Sequence, residues 1–405
     1  MGNGPLDGIR VVDISHHMAG PMASQKLGDF GADVLKVEPP GLGEWTRTRP
    51  IGDAWVGDFN SSLIALNRNK RGVTLDLKKD KGLKLFYNLV ETADIVISNF
   101  RADVTKRLCV DYETLKKINP KIIYCSITVY GEDGPYASRP GQDLIIQSLS
   151  GVTWNAGRAS DPPIPIGTFA VDASAGNLAL AGITTALYYR EKTGEGQKIS
   201  VSLLGSIMDV QIQEFTTYLN TGKRPERSEE LLAHPLINSP YGIHITKDGY
   251  LALAMTPFDK LADALECDDL RKFTKWEDGQ KYRDEIFRIV ADVLKTRTTK
   301  DWIKHLDKHD VWCGPVNNYD DVVKDPQILH NKTVQTINHE KYGALKVVAN
   351  PISFSKTPVS YRLPPPDLGE HNYEVLREIG LSDTEIDEIK QLGVIQQNKP
   401  KTFRI

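Results

Sequence analysis

The chain has 405 residues, of which 40% are apolar and 25% charged, and its formal net charge is −3 at pH 7. This length exceeds what a single hydrophobic core usually supports, so we expect two domains. The near-neutral balance excludes a global basic field of the kind that attracts nucleic acid, so a polyanionic ligand must be met by a local cluster of cations.

The first third of the chain alternates short β-branched runs with amphipathic segments. Strands are predicted at residues 9–14, 34–37, 72–77, 94–98 and 121–127, and helices at 19–30, 83–90 and 112–118. Strands separated by crossover helices indicate a parallel, doubly wound α/β sheet. Ligands of such a sheet usually bind at the carboxyl ends of its strands.

The turn after the first strand argues against a dinucleotide-binding enzyme. It reads Ser-His-His-Met-Ala-Gly-Pro over residues 15–21, where a dinucleotide-binding sheet would carry G-x-G-x-x-G. The missing fingerprint weakens the interpretation of the chain as an oxidoreductase that uses NAD.

The middle of the chain is predicted to be helical and then mixed. Helices are predicted at 174–189, 204–219 and within 257–306, and a hairpin with an Asp-Gly turn at 244–254. Near the end, Ser382 and Glu385 form the capping box of a last helix.

Composition also predicts the domain boundaries. Residues 223–230 are charged, poor in apolar side chains and contain a proline, which is typical of a linker. We therefore expect a large domain at 1–222, this linker, a smaller α+β domain at 231–318, and a linker with a return to the large domain at 319–405.

Cysteine usage and hydropathy bear on the compartment. The four cysteines lie far apart without a C-x-x-C pair, which argues against a zinc site or a disulfide framework and fits a reducing cytosol. The first residues show no secretory signal, and the longest apolar-leaning stretch, 178–189, is too short to span a bilayer. We expect a cytoplasmic protein without a metal and without a membrane partner.

Asp172 lies at a predicted loop-to-helix junction among small residues and has two interpretations. As a helix cap, it would accept backbone N–H bonds and complement the helix dipole, and spacing alone favours this. As a nucleophile, its carboxylate would attack an activated acyl carbon and form a covalent intermediate, with small neighbours leaving room for a bulky substrate.

Several other side chains follow the predicted strands. His16 and His17 follow the first, either as a surface pair or as site residues. The basic segment 67–71, with Lys78 and Lys79 beyond it, is either a solvated face or a phosphate clamp. Phe100 is either a platform for a base or a core residue, with arginines at 101 and 107 beside it.

A set of motifs spread along nearly the whole chain resembles the family III CoA transferases, the group that contains formyl-CoA:oxalate CoA-transferase, the carnitine CoA-transferase and α-methylacyl-CoA racemase. The matching segments are residues 11–21, 31–41, 67–71, 98–101, 131–136, 139–143, 193–197, 313–317 and 368–371.

The resemblance implies a fold, a partner and a site. The fold is a Rossmann-like large domain plus a smaller α+β domain, in an interlocked homodimer. Asp172 matches the catalytic aspartate of the family. The residues implied in CoA binding are His17, Met18, Ala19, Leu75, Lys78, Asn99, Phe100, Arg101, Arg107 and Arg139. CoA is then a substrate, and neither a metal nor a nucleotide cofactor is expected.

Three residues and one segment of this chain differ from what members of the family carry at the matching places. Met18 replaces a glutamine that faces the small substrate of the oxalate enzyme, which favours a larger or less polar acid. Pro39 replaces an arginine near the adenine end, and residues 237–245 lack the glycine run of the oxalate enzyme. Gln142 stands where racemases carry a histidine, and it cannot exchange a proton at neutral pH.

These features predict a CoA-transferase that works through a mixed anhydride and an aspartyl-CoA thioester. An aspartate with an ordinary pKa of about 3.9 is anionic at neutral pH and needs no general base. The alternatives are an acyl-CoA racemase or epimerase that pairs Asp172 with another base, and a non-catalytic CoA-binding subunit of a heteromer.

Overall fold

A computed structural model describes residues 4–397 of the chain. Its strands are β1 (Arg10–Asp13), β2 (Asp33–Glu38), β3 (Trp55–Val56), β4 (Phe59–Asn60), β5 (Lys70–Thr74), β6 (Ile95–Ser98), β7 (Ile123–Thr128), β8 (Lys198–Ser202), β9 (Gly242–Ile245), β10 (Tyr250–Leu253), β11 (Cys313–Pro315), β12 (Val334–His339) and β13 (Gly343–Val348).

The helices are α1 (Ala19–Asp29), α2 (Ser61–Leu66), α3 (Asp80–Glu91), α4 (Ala102–Arg107), α5 (Tyr112–Ile118), α6 (Asp143–Ser150), α7 (Ala170–Thr193), α8 (Leu203–Val210), α9 (Ile212–Thr221), α10 (Phe258–Leu265), α11 (Asp278–Lys281), α12 (Arg283–Leu294), α13 (Thr299–Lys308), α14 (Tyr319–Val322), α15 (Pro326–His330), α16 (Asn372–Glu378) and α17 (Asp383–Gln391). Within residues 4–397, no helix is long and apolar enough to cross a membrane.

The chain separates into two compact units. Among the described residues, the first contains 4–146, Phe169–Val210 and 326–397, and the second contains Gln147–Thr168 and Gln211–Asp325. The second unit thus includes a segment, 147–168, that lies inside the predicted large domain. The domain limits drawn from the sequence stay a prediction.

A six-stranded sheet forms the centre of the first unit. Its strand order is β5-β2-β1-β6-β7-β8, and every neighbouring pair is parallel. Alternate side chains face opposite sides: Val96 packs into a core shared with α3, α5, α16 and α17, while Ile97 faces Gly20 of α1. This confirms the predicted doubly wound α/β fold, in which helices cover both faces.

The second unit is built on a small antiparallel sheet of order β11-β10-β9. The predicted hairpin is present, and Thr246 N–H closes its turn on the Gly249 carbonyl at 2.9 Å. Trp302 of α13 is buried in the adjoining helical core and donates its indole N–H to the Leu294 carbonyl at 2.7 Å.

The following three predicted elements are among those whose bounds differ from the observed ones. The strand predicted at 72–77 is β5 at 70–74, and it begins with charged residues because carboxylates of the fold neutralise them. The helix predicted at 204–219 is interrupted at Gln211, whose backbone is not helical. The helix predicted at 174–189 begins four residues earlier and ends four later, as α7.

The basic segment 67–71 is part of the folded core, so its interpretation as a phosphate clamp is wrong. Arg68 donates two bonds to Asp29, at 2.9 and 2.6 Å, and both residues are buried. Arg71 pairs with Asp33 at 2.6 Å and with Glu378 at 2.5 Å. These cations stabilise the fold and are not available to a phosphate.

Candidate active site

The strand order reverses between β1 and β6, and this is where an open parallel sheet usually binds its ligand. The loops after these two strands meet there through Asn99. Its side-chain oxygen accepts the His16 N–H at 2.8 Å, and its amide nitrogen donates to the His16 carbonyl at 2.6 Å. Asn99 therefore fixes the geometry of the loop that leads into α1.

His17 forms a strained turn just before α1. Its φ of 65° lies in the left-handed region, which costs a non-glycine residue about 1 kcal/mol or more. Its N–H donates to Glu44 Oε2 at 3.1 Å, and its ring lies 4.6 Å from the ring of Trp45. These contacts hold the turn, and none of them was evident from the sequence.

Both histidines of the pair are uncharged at neutral pH. Burial, with the charge of Lys36 adding to it, lowers the pKa of His16 to about 4. Partial desolvation, again with Lys36, also lowers the pKa of His17. His16 packs edge-on against Phe100, with ring centroids 5.1 Å apart. His16 is therefore a packed residue and not part of a surface pair.

A buried charge cluster donates hydrogen bonds to the start of α1 and to the loop before it. We define it as Asp13, Lys36 and Lys70, none more than 1% exposed. Lys70 Nζ lies 3.1 Å from Asp13 Oδ2 and donates to the Pro21 carbonyl in the first turn of α1 at 3.0 Å. Lys36 bonds to the Ser15 carbonyl. Burial by itself raises the pKa of Asp13, but the two lysines outweigh it and hold that pKa well below its usual range.

The starts of α1 and α7 lie close together. A Cβ atom built on Gly176 of α7 would lie 2.8 Å from the Ala19 carbonyl, so only glycine allows this approach. Asp172 is four residues before Gly176 and therefore on the same face of α7, one turn nearer its N-terminus. The start of α1 has no side-chain cap, so the backbone N–H groups of Ala19 and Gly20 are not bonded to a capping side chain, while Pro21 has no N–H.

Asp172 is not the cap of α7. It is the third residue of the helix, whose N-cap position is Phe169. Asp143 does the capping from α6: its Oδ2 accepts the N–H groups of Val171 at 3.0 Å and of Asp172 at 3.1 Å. The cap interpretation that spacing favoured is wrong, because the acceptor comes from a residue 29 positions earlier.

The Asp172 carboxylate is half-buried, and its environment opposes ionisation. Desolvation, followed by the negative charge of Asp143, raises the pKa of Asp172 to about 6. The ordinary value assumed from the sequence is therefore wrong for this residue. At pH 7 the group is still about nine-tenths ionised, and a carboxylate of higher pKa is a more basic nucleophile.

The other residues predicted to bind CoA lie in the segments that follow β1, β5, β6 and β7. Leu75, directly after β5, is buried, and Lys78, three residues further on, is exposed. Arg101 donates to the Ser138 carbonyl at 2.9 Å, which places it in the same loop cluster as Arg139.

The remaining three have mixed surroundings. Phe100 packs partly against the core of the sheet, and Arg139 lies over the ring of Tyr136, 4.0 Å from its centroid. Arg107 is exposed in the last turn of α4. The geometry is compatible with CoA binding, and the role of each of these residues toward CoA stays a prediction.

Sequence reasoning missed Asp143, Glu44, Trp45 and Gly176 as residues that shape the site. A signal existed for Asp143, since it belongs to the motif at 141–143, but only its neighbour Gln142 was used, to separate transferases from racemases. No group of three or more potential metal-ligating side chains occurs in the part of the chain that is described.

Comparison with known proteins gives consistent results. A family model described as CoA-transferase family III matches residues 6–372. Human succinyl-CoA:glutarate CoA-transferase is 32% identical, with 98% of this chain and 91% of the relative covered. Succinate–glutarate CoA-transferase of Agrobacterium fabrum is 36% identical, with coverages of 93% and 96%.

A solved structure agrees with these sequence matches. The crystal structure of a CaiB/BaiF family protein from Brucella suis superposes with a TM-score of 0.82 at 33% sequence identity. The match covers 93% of this chain and 100% of that one.

Proposed function

We propose that this chain, which belongs to CoA-transferase family III, moves CoA from an acyl-CoA to a carboxylic acid through a covalent intermediate on Asp172. The family match confirms the resemblance that the sequence motifs indicated. The observation that carries the mechanism is the position of Asp172: a half-buried carboxylate at the start of α7, one turn before the glycine at which α7 packs against the start of α1.

The reaction consists of four acyl exchanges. Ionised Asp172 attacks the thioester carbonyl of the donor, which gives a mixed anhydride and CoA thiolate. The thiolate attacks the aspartyl carbonyl, which gives an aspartyl-CoA thioester and releases the donor acid. The acceptor carboxylate then attacks that thioester, and the thiolate attacks the acceptor acyl carbon of the second anhydride. The acceptor leaves as its acyl-CoA and Asp172 is regenerated.

This sequence needs no ATP and no metal, because one thioester is exchanged for another, one carboxylate is released for each carboxylate that is consumed, and Asp172 is regenerated. It needs donors for the oxyanions that form on each attacked carbonyl, and exclusion of water from the anhydrides. The donors we propose are the N–H groups of Ala19 and Gly20 at the uncapped start of α1, where the positive end of the helix dipole adds to their effect.

We propose a short dicarboxylic acid as the acceptor, with the CoA thioester of a different short dicarboxylic acid as the donor. The two relatives compared above act on succinate and glutarate by name. Met18 replaces the glutamine expected to face a small polar acid, so an acid longer than oxalate fits this chain better.

CoA is proposed to lie along the loops at the carboxyl ends of the parallel strands. Arg101, Arg107, Arg139 and Lys78 supply exposed cations there for phosphate groups. Residues 17–19 would line the path of the pantetheine toward Asp172.

We also propose a homodimer in the cytoplasm. Large apolar side chains stand exposed on α7 and α8, including Tyr188 at 66% and Val210 at 53% exposure, and exposed apolar surface of this kind supports an interface with a second chain. The described cysteines are all free thiols, as in a reducing compartment. Light scattering on the purified protein gives the oligomeric state directly.

The test is to incubate the protein with succinyl-CoA and locate a CoA adduct by peptide mass spectrometry. We expect it on Asp172, with loss of the adduct when glutarate is added and glutaryl-CoA appears. A panel of monocarboxylic and dicarboxylic acids then defines the acceptor. New thioesters formed at an undiminished rate by Asp172→Ala would contradict the proposal.

A further inference from the structure

Asp143 makes the contact that defines the start of α7. It is the first residue of α6, is 4% exposed, and directs one carboxylate oxygen at two consecutive N–H groups of α7. The N-cap residue of α7, Phe169, offers no side-chain acceptor. Asp143 therefore serves α7 as a capping residue that comes from another helix, and one of the two N–H groups it binds belongs to Asp172 itself.

The negative charge of Asp143 is favoured by its own helix and opposes the ionisation of Asp172. It lies in the first turn of α6, where the helix dipole favours a negative charge. It places that charge beside a second carboxylate, and among the described residues no lysine or arginine forms an ion pair with Asp172. Two carboxylates thus share the site.

The cations of the surrounding elements are engaged elsewhere. Lys26 of α1 donates to Asn177 at 2.5 Å, and Lys198 of β8 pairs with Glu132. At the far end of α7, Arg190 pairs with Asp94 at 2.8 Å. On α8, the neighbour of this region is the neutral Ser206, whose carbonyl accepts the Ser174 hydroxyl. The one carboxylate of α8, that of Asp209, is exposed.

We propose that Asp143 is a positioning residue for the nucleophile, which fixes the backbone of Asp172 and holds a like charge beside its carboxylate. This inference rests on the proposed role of Asp172 in CoA transfer. The backbone bonds set where the attacking oxygen lies when the thioester arrives, and a displacement of about 1 Å in such a group costs on the order of 100-fold in rate. The like charge supports the raised pKa of Asp172 and hence its basicity.

Two substitutions separate the two effects. Asp143→Asn keeps an oxygen that can accept both N–H bonds but removes the charge. Asp143→Ala removes both. Asp111→Asn is the matched control, because Asp111 caps α5 by accepting the Thr114 N–H and belongs to no part of the site. Each variant is compared with the wild-type protein in melting temperature, in kcat and KM for acyl-CoA, and in the pH profile of kcat/KM.

We expect Asp143→Asn to shift the acidic limb of the pH profile to lower pH, and Asp143→Ala to lose about 100-fold in kcat with KM for acyl-CoA within about twofold. Asp111→Asn should change neither. A wild-type pH profile in Asp143→Asn together with wild-type kcat in Asp143→Ala would overturn the inference, as would a shift of the pH profile in Asp111→Asn equal to that in Asp143→Asn.

Failure of the proposed role of Asp143 can be distinguished from failure of the proposed CoA-transferase mechanism. If the wild-type protein forms no adduct on Asp172, the mechanism itself is wrong. If the wild-type protein forms the adduct and both Asp143 variants form it at the same rate and with the same pH dependence, only the role of Asp143 is wrong.

Discussion

The starts of α1 and α7 lie side by side but are stabilised in opposite ways. At α1, the carboxylate of Asp13 is matched by Lys36 and Lys70, and all three are buried. At α7, Asp172 faces the like charge of Asp143, and no cation among the described residues pairs with it. The first arrangement stabilises an ionised carboxylate and makes it inert. The second destabilises an ionised carboxylate and leaves it free to attack.

The largest effect we expect is from Asp172→Ala. Removal of the nucleophile should lower the transfer rate by about 10⁴-fold or more, while CoA binding measured by calorimetry changes little. Asp209→Ala, which removes an exposed carboxylate of α8, is the control and should keep the wild-type rate. Comparable losses in both variants would show that Asp172 has no special role.

The paired cluster under α1 is tested by Lys70→Met. The substitution removes the nearer of the two cations that pair with Asp13 and leaves Lys36 at 3.7 Å. Loss of one partner of a buried ion pair costs about 3 kcal/mol, so the free energy of unfolding in denaturant should fall by about that amount. Lys260→Met is the control: Lys260 pairs with Asp310 at 2.7 Å in an exposed position, where the loss should be about 0–1 kcal/mol. Equal effects would mean that the cluster contributes no more than a surface ion pair.

The unpaired carboxylate gives the enzyme an acidic limit. Because the pKa of Asp172 is raised to about 6, its reactive ionised form is lost below that pH. We expect kcat/KM to be flat above about pH 7 and to fall about tenfold per unit below about pH 6. A profile that stays flat down to pH 4.5, with the protein still folded by circular dichroism, would contradict the raised pKa.

The smallest effect we expect is that of Asp172→Asn on the free energy of unfolding. The raised pKa means that the folded protein disfavours the ionised Asp172, a cost that is fully present above about pH 6 and vanishes below the unfolded-state value of 3.8. Asp172→Asn should therefore raise the free energy of unfolding by about 1–2 kcal/mol at pH 8, a figure reduced for partial solvent screening. The gain should shrink as the pH falls through 6. An Asp172→Asn variant that is less stable than the wild-type protein at pH 8 would contradict a raised pKa of Asp172.

The sequence by itself determined the parallel α/β sheet, the hairpin of the second unit, the capping box of α17 and the family. These depend on local periodicity, on turn residues and on short motifs, all of which are legible within a few neighbouring positions. Helix α5 matches its predicted bounds, and α17 carries the predicted reciprocal bonds of Ser382 and Glu385.

Only the tertiary structure decided which charged residues are partners and which are free. Lys70 and Asp13 are 57 positions apart, and Arg68 and Asp29 are 39 apart, so a basic run that suggested a phosphate clamp turned out to be neutralised within the fold. Asp143 reaches Asp172 across 29 positions, so the residue that resembled a cap is itself capped. The pKa of a carboxylate depends on burial and on charges brought near by folding, and neither is encoded in the adjacent sequence.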